Sequence, residues 1–488
     1  MEAALNLAIW LPFVAAIAIV LLPVAQERNA RRVALGASGI VLLLAALLAL
    51  SFSRLPAAGA PQFATNLPWI PQLRVAYFVG LDGLSLPMFL LNAFLVFLAI
   101  LVSWNTTLRP REYFALLMVL ETAVSGVFAS LDFFLFFLFW ELELAPMFLL
   151  IGIWGSARRE YAAMKFILYT VAGSAFMLVG ILVLYFAAPV NSFDMVYLAA
   201  QQYSPAVQSA VWLLLFIGFA VKIPIFPFHT WLPDAHTEAP TAISVLLAGV
   251  LLKMGAYGLL RANVGMLPEA TRQFAMALAV LAVINVLYGA LVAMMQSDLK
   301  RVIANSSISH MGYVVLGASA LTPMALEGAV FQMFAHGTIT GLLFIMVGLV
   351  YDRTHTREIS DLGGLAGRMP FIAVTFVVAA LASLGLPGLS GFVAEFLVFV
   401  GSFPVWRWAT VLAVFTIVVT AGYMLWLLER VFFGPERPQW GRLGDASRLE
   451  VATVSALLAV IVLVGVFPAL LGGIIIPSVS AIAARYVV

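Results

Sequence analysis

Two glutamates, Glu141 and Glu143, stand inside the apolar run "FFLFFLFWELELAPMF" of residues 133–148. A charged side chain at a bilayer centre costs roughly 2.5–3.5 kcal/mol on insertion scales. Carboxyls placed there either complete a structural ion pair or carry charge. The same choice applies to Glu121, Lys222, Lys253, His310, His336 and Glu395, each in an apolar stretch. Burial favours the neutral form of such a group, and a nearby opposite charge favours the ionised form. A Glu–Lys pair held between these pressures is tipped by a second charge, and its proton moves. Several acids and bases strung along one apolar sequence are what a proton relay needs.

The individual residues differ in what they allow. Glu141 and Glu143 lie about 200° apart around a helix, so they cannot share one seam. The sequence favours Glu141 as the functional member and leaves Glu143 open between a structural pair and an accessory role. His310 in "SSISHMG" and His336 in "QMFAHGTIT" are each readable as hydrogen-bonded core histidines, or as carriers that titrate near neutral pH. Two histidines on adjacent helices could also hold a haem, but nothing else in the sequence supports a redox centre. His229, Asp234 and His236 resemble a loose metal set and read better as closing the mouth of a broken helix, so no metal site is expected. The sequence carries no GxGxxG, Walker, HExxH or serine-nucleophile motif.

The elements that must position these groups are membrane spans. The 488 residues are 64% hydrophobic and 10% charged, against about 25% charged in soluble proteins. A single polytopic domain, 1–488, follows. Cysteine is absent, which excludes thiolate-bound clusters within this chain. Fourteen apolar spans can be drawn, the first at 4–25 and the last at 450–472, with the tail 474–488 too short and interrupted to add another. Stretches 54–80 and 434–449 read as loops. With both termini outside, 17 Lys and Arg fall on inside loops and edges and 6 outside, with Lys222 and Lys253 inside spans. That bias supports the even count.

Two spans are interrupted. The seventh breaks in "KIPIFPFHTWLPDAH" and the twelfth in "LGLPGLSGFVAEF". Backbone freed by such a break must be buried in protein or line a wet cavity. An offset of five spans puts equivalent helices in opposite directions, the trace of an inverted repeat with its site near the midplane.

The segment "KIPIFPFHTWLPDAHTEAPTAISVLLAGVLLKMGAYGLLR", Lys222–Arg261, resembles the signature of the antiporter-like proton-pumping subunits of respiratory complex I. "FWELELAPMFLLIGIWG", "LKRVIANSSISHMGYVVLG" and "SLGLPGLSGFVAEFLVFVG" agree with it, and the resemblance covers nearly the whole sequence. Glu395 points to the branch that holds the bacterial M-type subunits, mitochondrial subunit 4 and their chloroplast counterparts. The other branches and the related sodium/proton antiporter subunits usually carry lysine there. The resemblance implies an all-α membrane fold of fourteen helices. It also implies inverted five-helix repeats at helices 4–8 and 9–13, residues 112–261 and 272–432. Glu141 and Lys222 would form a gating pair, Lys253 would pass the proton laterally, and His310 and His336 would continue the axis to Glu395. Glu121, Glu143, His229, Asp234 and His236 would be accessory. NADH, flavin, iron–sulfur clusters and quinone would be bound by partner subunits, with antiporter-like L-type and N-type subunits alongside and none of these cofactors in this chain. The membrane would be a bacterial plasma membrane with both termini periplasmic, or alternatively a thylakoid. The competing reading is a subunit of a multisubunit sodium/proton antiporter.

Overall fold

The computed structural model describes residues 1–52, 60–441 and 443–486. Arg54 and Arg442, both used in the charge count, lie outside the described residues, as does the start of the 54–80 stretch. The protein is an all-helical membrane protein apart from one hairpin. Among the described residues, thirteen helices are long and apolar enough to cross a membrane. Their starts are written in the sequence. Pro110, Pro205, Pro268, Pro323 and Pro370 each open a helix, where the missing N–H would have had no partner anyway. Asp132 caps Phe133–Leu142 by accepting from the Phe134 and Leu135 amides.

The structure departs from the sequence expectations at informative places. Residues 62–81, expected as loop, form an antiparallel pair of β1, Gln62–Ile70, and β2, Val75–Leu81. The Pro and Gly content of 54–80 hid the aromatic and β-branched residues that favour pairing. Leu299–Ala320 is 22 residues long and almost wholly buried, yet it falls outside the thirteen because Asn305, Ser306, Ser307, Ser309 and His310 make it polar. The twelfth span is two short helices, Pro370–Ser383 and Ser390–Ser402.

The tail is helical as well, over Ala469–Ala483. It meets the length and composition of a span together with residues to Tyr486, but both of its ends touch the same end of the bundle. A Cβ on Gly472 would lie 3.2 Å from Glu327. The Arg485 side chain donates to the Ala199 carbonyl at 3.0 Å, and its carbonyl accepts from Arg272 at 3.3 Å. Pro268–Met294 and Leu299–Ala320 are antiparallel neighbours, so Arg272 and the start of Pro323–Thr354, where Glu327 sits, share one end. The tail helix, about 22 Å long, therefore lies along that face beside the hairpin. The opposite end gathers the arginine-rich loops and is called the basic end below.

Glycines set the closest helix approaches. A Cβ on Gly289 would meet the Ser309 amide nitrogen at 2.5 Å and the Asn305 carbonyl at 3.0 Å. Gly312 makes the reciprocal contact, 3.0 Å from the Ala282 carbonyl. Replacing Gly289 with leucine forces this crossing apart. The expected cost is about 1–3 kcal/mol, read as a lower thermal unfolding midpoint of the purified protein in detergent. An unchanged midpoint would mean that the crossing tolerates a side chain.

Candidate functional site

The first interrupted span shows how a break is stabilised. Pro205–Lys222 stops at Lys222, and helix resumes at Trp231–Glu238. The intervening backbone is paired by side chains. Asn285 donates to the Pro224 carbonyl at 3.1 Å and accepts from the Phe226 amide at 2.7 Å. The Trp231 indole donates to the Val221 carbonyl at 2.9 Å. A break supported in this way is tolerable inside the bundle, and it leaves Lys222 at a helix end.

Lys222 is 1% exposed and donates to Glu143, itself fully buried. Its ammonium also lies 5.5 Å from the Trp140 ring centroid and 5.4 Å from that of Phe166. The sequence favours Glu141 as the partner; the structure pairs Lys222 with Glu143 instead. Glu143 occupies a one-residue interruption between Phe133–Leu142 and Leu144–Trp154, on the side facing Lys222. Glu141 points away by the helical angle and stays partly exposed, although within Coulombic reach of Lys222.

From Lys222 the geometry leads to Lys253. A Cβ on Gly255 would meet the Lys222 Cβ at 2.9 Å, so the two backbones touch two residues from Lys253. Lys253 is fully buried and lies between two π-helical turns, Leu247–Leu251 and Leu259–Val264, a local widening common at functional sites. Its ammonium bonds the Ala248 carbonyl and lies 2.7 Å from His336 Nδ1. Gly249 and Gly337 make this possible, because a Cβ on Gly337 would sit 2.7 Å from the Gly249 carbonyl oxygen.

His336 and His310 follow, with ring centroids 5.8 Å apart. His310 Nδ1 lies 3.2 Å from a Glu395 carboxylate oxygen, and its Nε2 is 3.1 Å from Ser383 Oγ. Gln332 approaches the same Nδ1 at 3.5 Å. Both imidazole nitrogens of His310 are thus engaged. Glu395 is buried below the second break, where Gly385 and Gly388 adopt φ of +77° and +91°, backbone that glycine enters without strain. A cavity of about 10 Å³, lined by His310, Gln332, His336, Ser383 and Glu395, has room for about one water.

The accessory residues scatter. Asp234 is held by Lys165 at 2.7 Å and Arg301 at 3.4 Å. His229 packs edge-on to Tyr288, centroids 4.8 Å apart, and His236 stacks on Phe344 at 4.7 Å. The three therefore turn to separate neighbours. The Glu121 carboxyl is fully buried, and among the described residues neither oxygen has a hydrogen-bond partner. Sequence reasoning missed Gln332, Ser383 and Lys300. Gln332 lies four residues before His336, one turn away on the same helix face, and that spacing could have found it. Some groups on this line keep a buried atom without a partner, namely Glu143 Oε2, Gln332 Oε1 and His336 Nε2, as do others elsewhere such as Asn263 Oδ1 and Thr420 Oγ1. Buried polar atoms otherwise nearly always find partners. Chemically, the arrangement can hand a proton between adjacent acids and bases.

The family model described as NADH:quinone oxidoreductase/Mrp antiporter, transmembrane, matches residues 130–420. The sequence is 44% identical over 485 residues to NAD(P)H-quinone oxidoreductase chain 4 of Gloeobacter violaceus, covering 97% of this protein and 91% of the other. It is 42% identical to NADH-quinone oxidoreductase subunit M of Rhodobacter capsulatus, covering 95% and 92%. A subunit of respiratory complex I from Thermus thermophilus with bound NADH superposes with a TM-score of 0.91 at 32% identity, covering 99% of this protein and 100% of that one.

The Lys222–Glu143 pair predicts a particular pattern of stability. Lys222→Met leaves Glu143 as a buried carboxylate with no partner, at an expected cost of about 3–5 kcal/mol. The double variant Lys222→Met/Glu143→Leu should recover most of it. Thermal unfolding of the three proteins measures the coupling, and additive losses would show that the pair does not interact.

Proposed function

The chain belongs to the NADH:quinone oxidoreductase and Mrp antiporter transmembrane family, and from that premise we infer that it is a proton-translocating membrane subunit of a complex I-type NADH:quinone oxidoreductase. The observation that carries this is the continuous buried line Glu143–Lys222, Lys253–His336 and His310–Glu395. Its links are these three acid–base contacts, the backbone approach of Gly255 to Lys222 and the approach of the His336 and His310 rings, 5.8 Å between centroids.

In this reading, quinone reduction in neighbouring subunits shifts the charge next to Lys222. The Glu143–Lys222 pair, with Glu141 within reach, then opens or closes. When Lys222 carries its charge, Lys253 gives up its proton to His336, because two ammonium groups in low dielectric repel strongly. His336 and His310 carry it on, and Glu395 releases it towards the hairpin end. Glu121, His229, Asp234 and His236 are accessory. The protein holds no cofactor of its own, and NADH, flavin, iron–sulfur clusters and quinone belong to partner subunits. Membrane subunits of the L and N types are the neighbours proposed.

The finer topology belongs to the same reading. Fourteen spans, with inverted repeats at 112–261 and 272–432, put both termini on the outer side and the basic end inside. The charge bias supports this, as does a tail helix lying along the hairpin face. The membrane is a bacterial plasma membrane, with a thylakoid the alternative. A sodium/proton antiporter subunit remains the second reading, and Glu395, where those subunits usually carry lysine, counts against it.

Proton pumping by the assembled complex in sealed vesicles tests the relay. Lys253→Ala and Glu395→Gln are each expected to abolish most of the pH gradient formed on NADH oxidation. Electron transfer to a water-soluble acceptor should persist in both. A proton stoichiometry equal to wild type in both variants would overturn the assignment.

A further inference from the structure

Lys300 opens Leu299–Ala320 at the basic end, where the sequence "SDLKRV" reads as an ordinary loop charge. It is nonetheless buried, 4% exposed. Its ammonium lies 2.5 Å from the Ala239 carbonyl oxygen and 3.5 Å from Ser244 Oγ. Ser244 in turn donates to the His236 carbonyl at 3.0 Å. Glu238, Asp298, Asp352 and Arg357 are the charged groups around it.

Two further observations give this lysine a direction. On one side lies a cavity of about 240 Å³ at the basic end, lined by polar groups that include Ser103, Tyr113, Thr241, Asp352 and Glu450. Its wall at Pro240–Ala242 adjoins Ala239, the carbonyl that Lys300 holds. On the other side lies His236, fully buried with neither ring nitrogen partnered. Lys300 and Lys253 both lie within Coulombic reach of His236, and His236 lies within reach of His336. Ser244, close to the Lys300 ammonium and donating to the His236 carbonyl, ties the lysine to the turn that carries this imidazole.

We propose that Lys300 is a proton-uptake residue, taking protons from the basic-end vestibule and passing them through His236 to the Lys253–His336 pair. The proposal rests on the relay reading above and adds its intake. The step balances simply. A vestibule water or the Asp352 carboxyl gives a proton to neutral Lys300, Lys300 gives one to an imidazole nitrogen of His236, and the imidazole releases a proton to Lys253. The geometry suits a lysine that cycles, since among the described residues its close partners are a carbonyl and a hydroxyl and no carboxylate lies within ion-pair distance. The plain alternative is an anchor that ties two helices through the Ala239 carbonyl.

Arginine separates the two roles, because it keeps the charge and the donors but does not deprotonate in proteins. In the assembled complex, Lys300→Arg and Lys300→Met should both slow proton pumping on the order of a hundredfold, the scale of a lost acid–base group. Wild-type pumping by Lys300→Arg would identify an anchor and overturn the proposal. Lys253→Ala is run in parallel: if it pumps normally, the relay reading itself fails, whereas if it is blocked and Lys300→Met is not, only the intake assignment fails. Should neither Lys300 variant assemble, the vestibule still decides. The sequence contains no cysteine, so Thr241→Cys is a lone reporter in this subunit. A charged, membrane-impermeant maleimide should label it from the basic side alone, and protection from that side would overturn the route.

Discussion

An ionisable group away from water must be neutral, paired or in transit, and the interior of this protein is organised around that constraint. Lys222, Lys253, Lys300, Glu143 and Glu395 are all buried, so each has solved the same problem differently. Lys222 is paired with a carboxylate and two aromatic faces. Lys253 and Lys300 lean on carbonyls and neutral groups. The second solution leaves the proton loosely owned. A lysine held by a carboxylate is stable in its charged form, whereas one held by an imidazole or a carbonyl is poised. In the relay proposed above, the strongest pair would act as a latch and the looser contacts as carriers.

Such poise requires close and rigid placement, and glycine supplies it. Gly255 seats the helix of Lys253 against Lys222, and Gly249 with Gly337 seats it against His336. Small residues let helix backbones approach where lipid gives no hydrophobic drive. The helix breaks complement this packing. Each removes a stretch of regular backbone, and side chains such as Asn285 and Trp231 satisfy what is freed. Charge, glycine and break coincide because each makes the others tolerable.

Much of this was legible in the sequence, for stated reasons. Membrane spans follow from long apolar runs, helix starts from proline, and the two breaks from Pro and Gly beside charges. Lys253, His310, His336 and Glu395 stood out because ionisable residues are rare in such surroundings. What could not be read is what depends on rotation and on tertiary placement. Glu143 replaced Glu141 as the partner of Lys222 because, of two carboxyls about 200° apart around one helix, the rotation of that helix in the bundle decides which faces inward. Lys300 was hidden by its neighbours in "DLKR", since a basic loop and a buried helix start look alike without the Ala239 carbonyl across from them. The β1–β2 hairpin was hidden by composition, its strand residues diluted by Pro and Gly.

The placement of Glu395 gives the line a polarity that neither sequence spacing nor a single contact conveys. The groups from Lys300 through Lys253 to His310 carry positive charge when protonated, whereas Glu395 carries negative charge when deprotonated. In the proposed relay a proton arriving at His310 would face a carboxyl oxygen 3.2 Å away, and whenever that carboxyl is ionised, attraction in low dielectric draws the proton forward. A lysine at the same position would instead repel it and would have to lose its own proton first. On that proposal the sign of one buried side chain would set whether the last step pulls or pushes, and an acid there would suit release beside the second helix break.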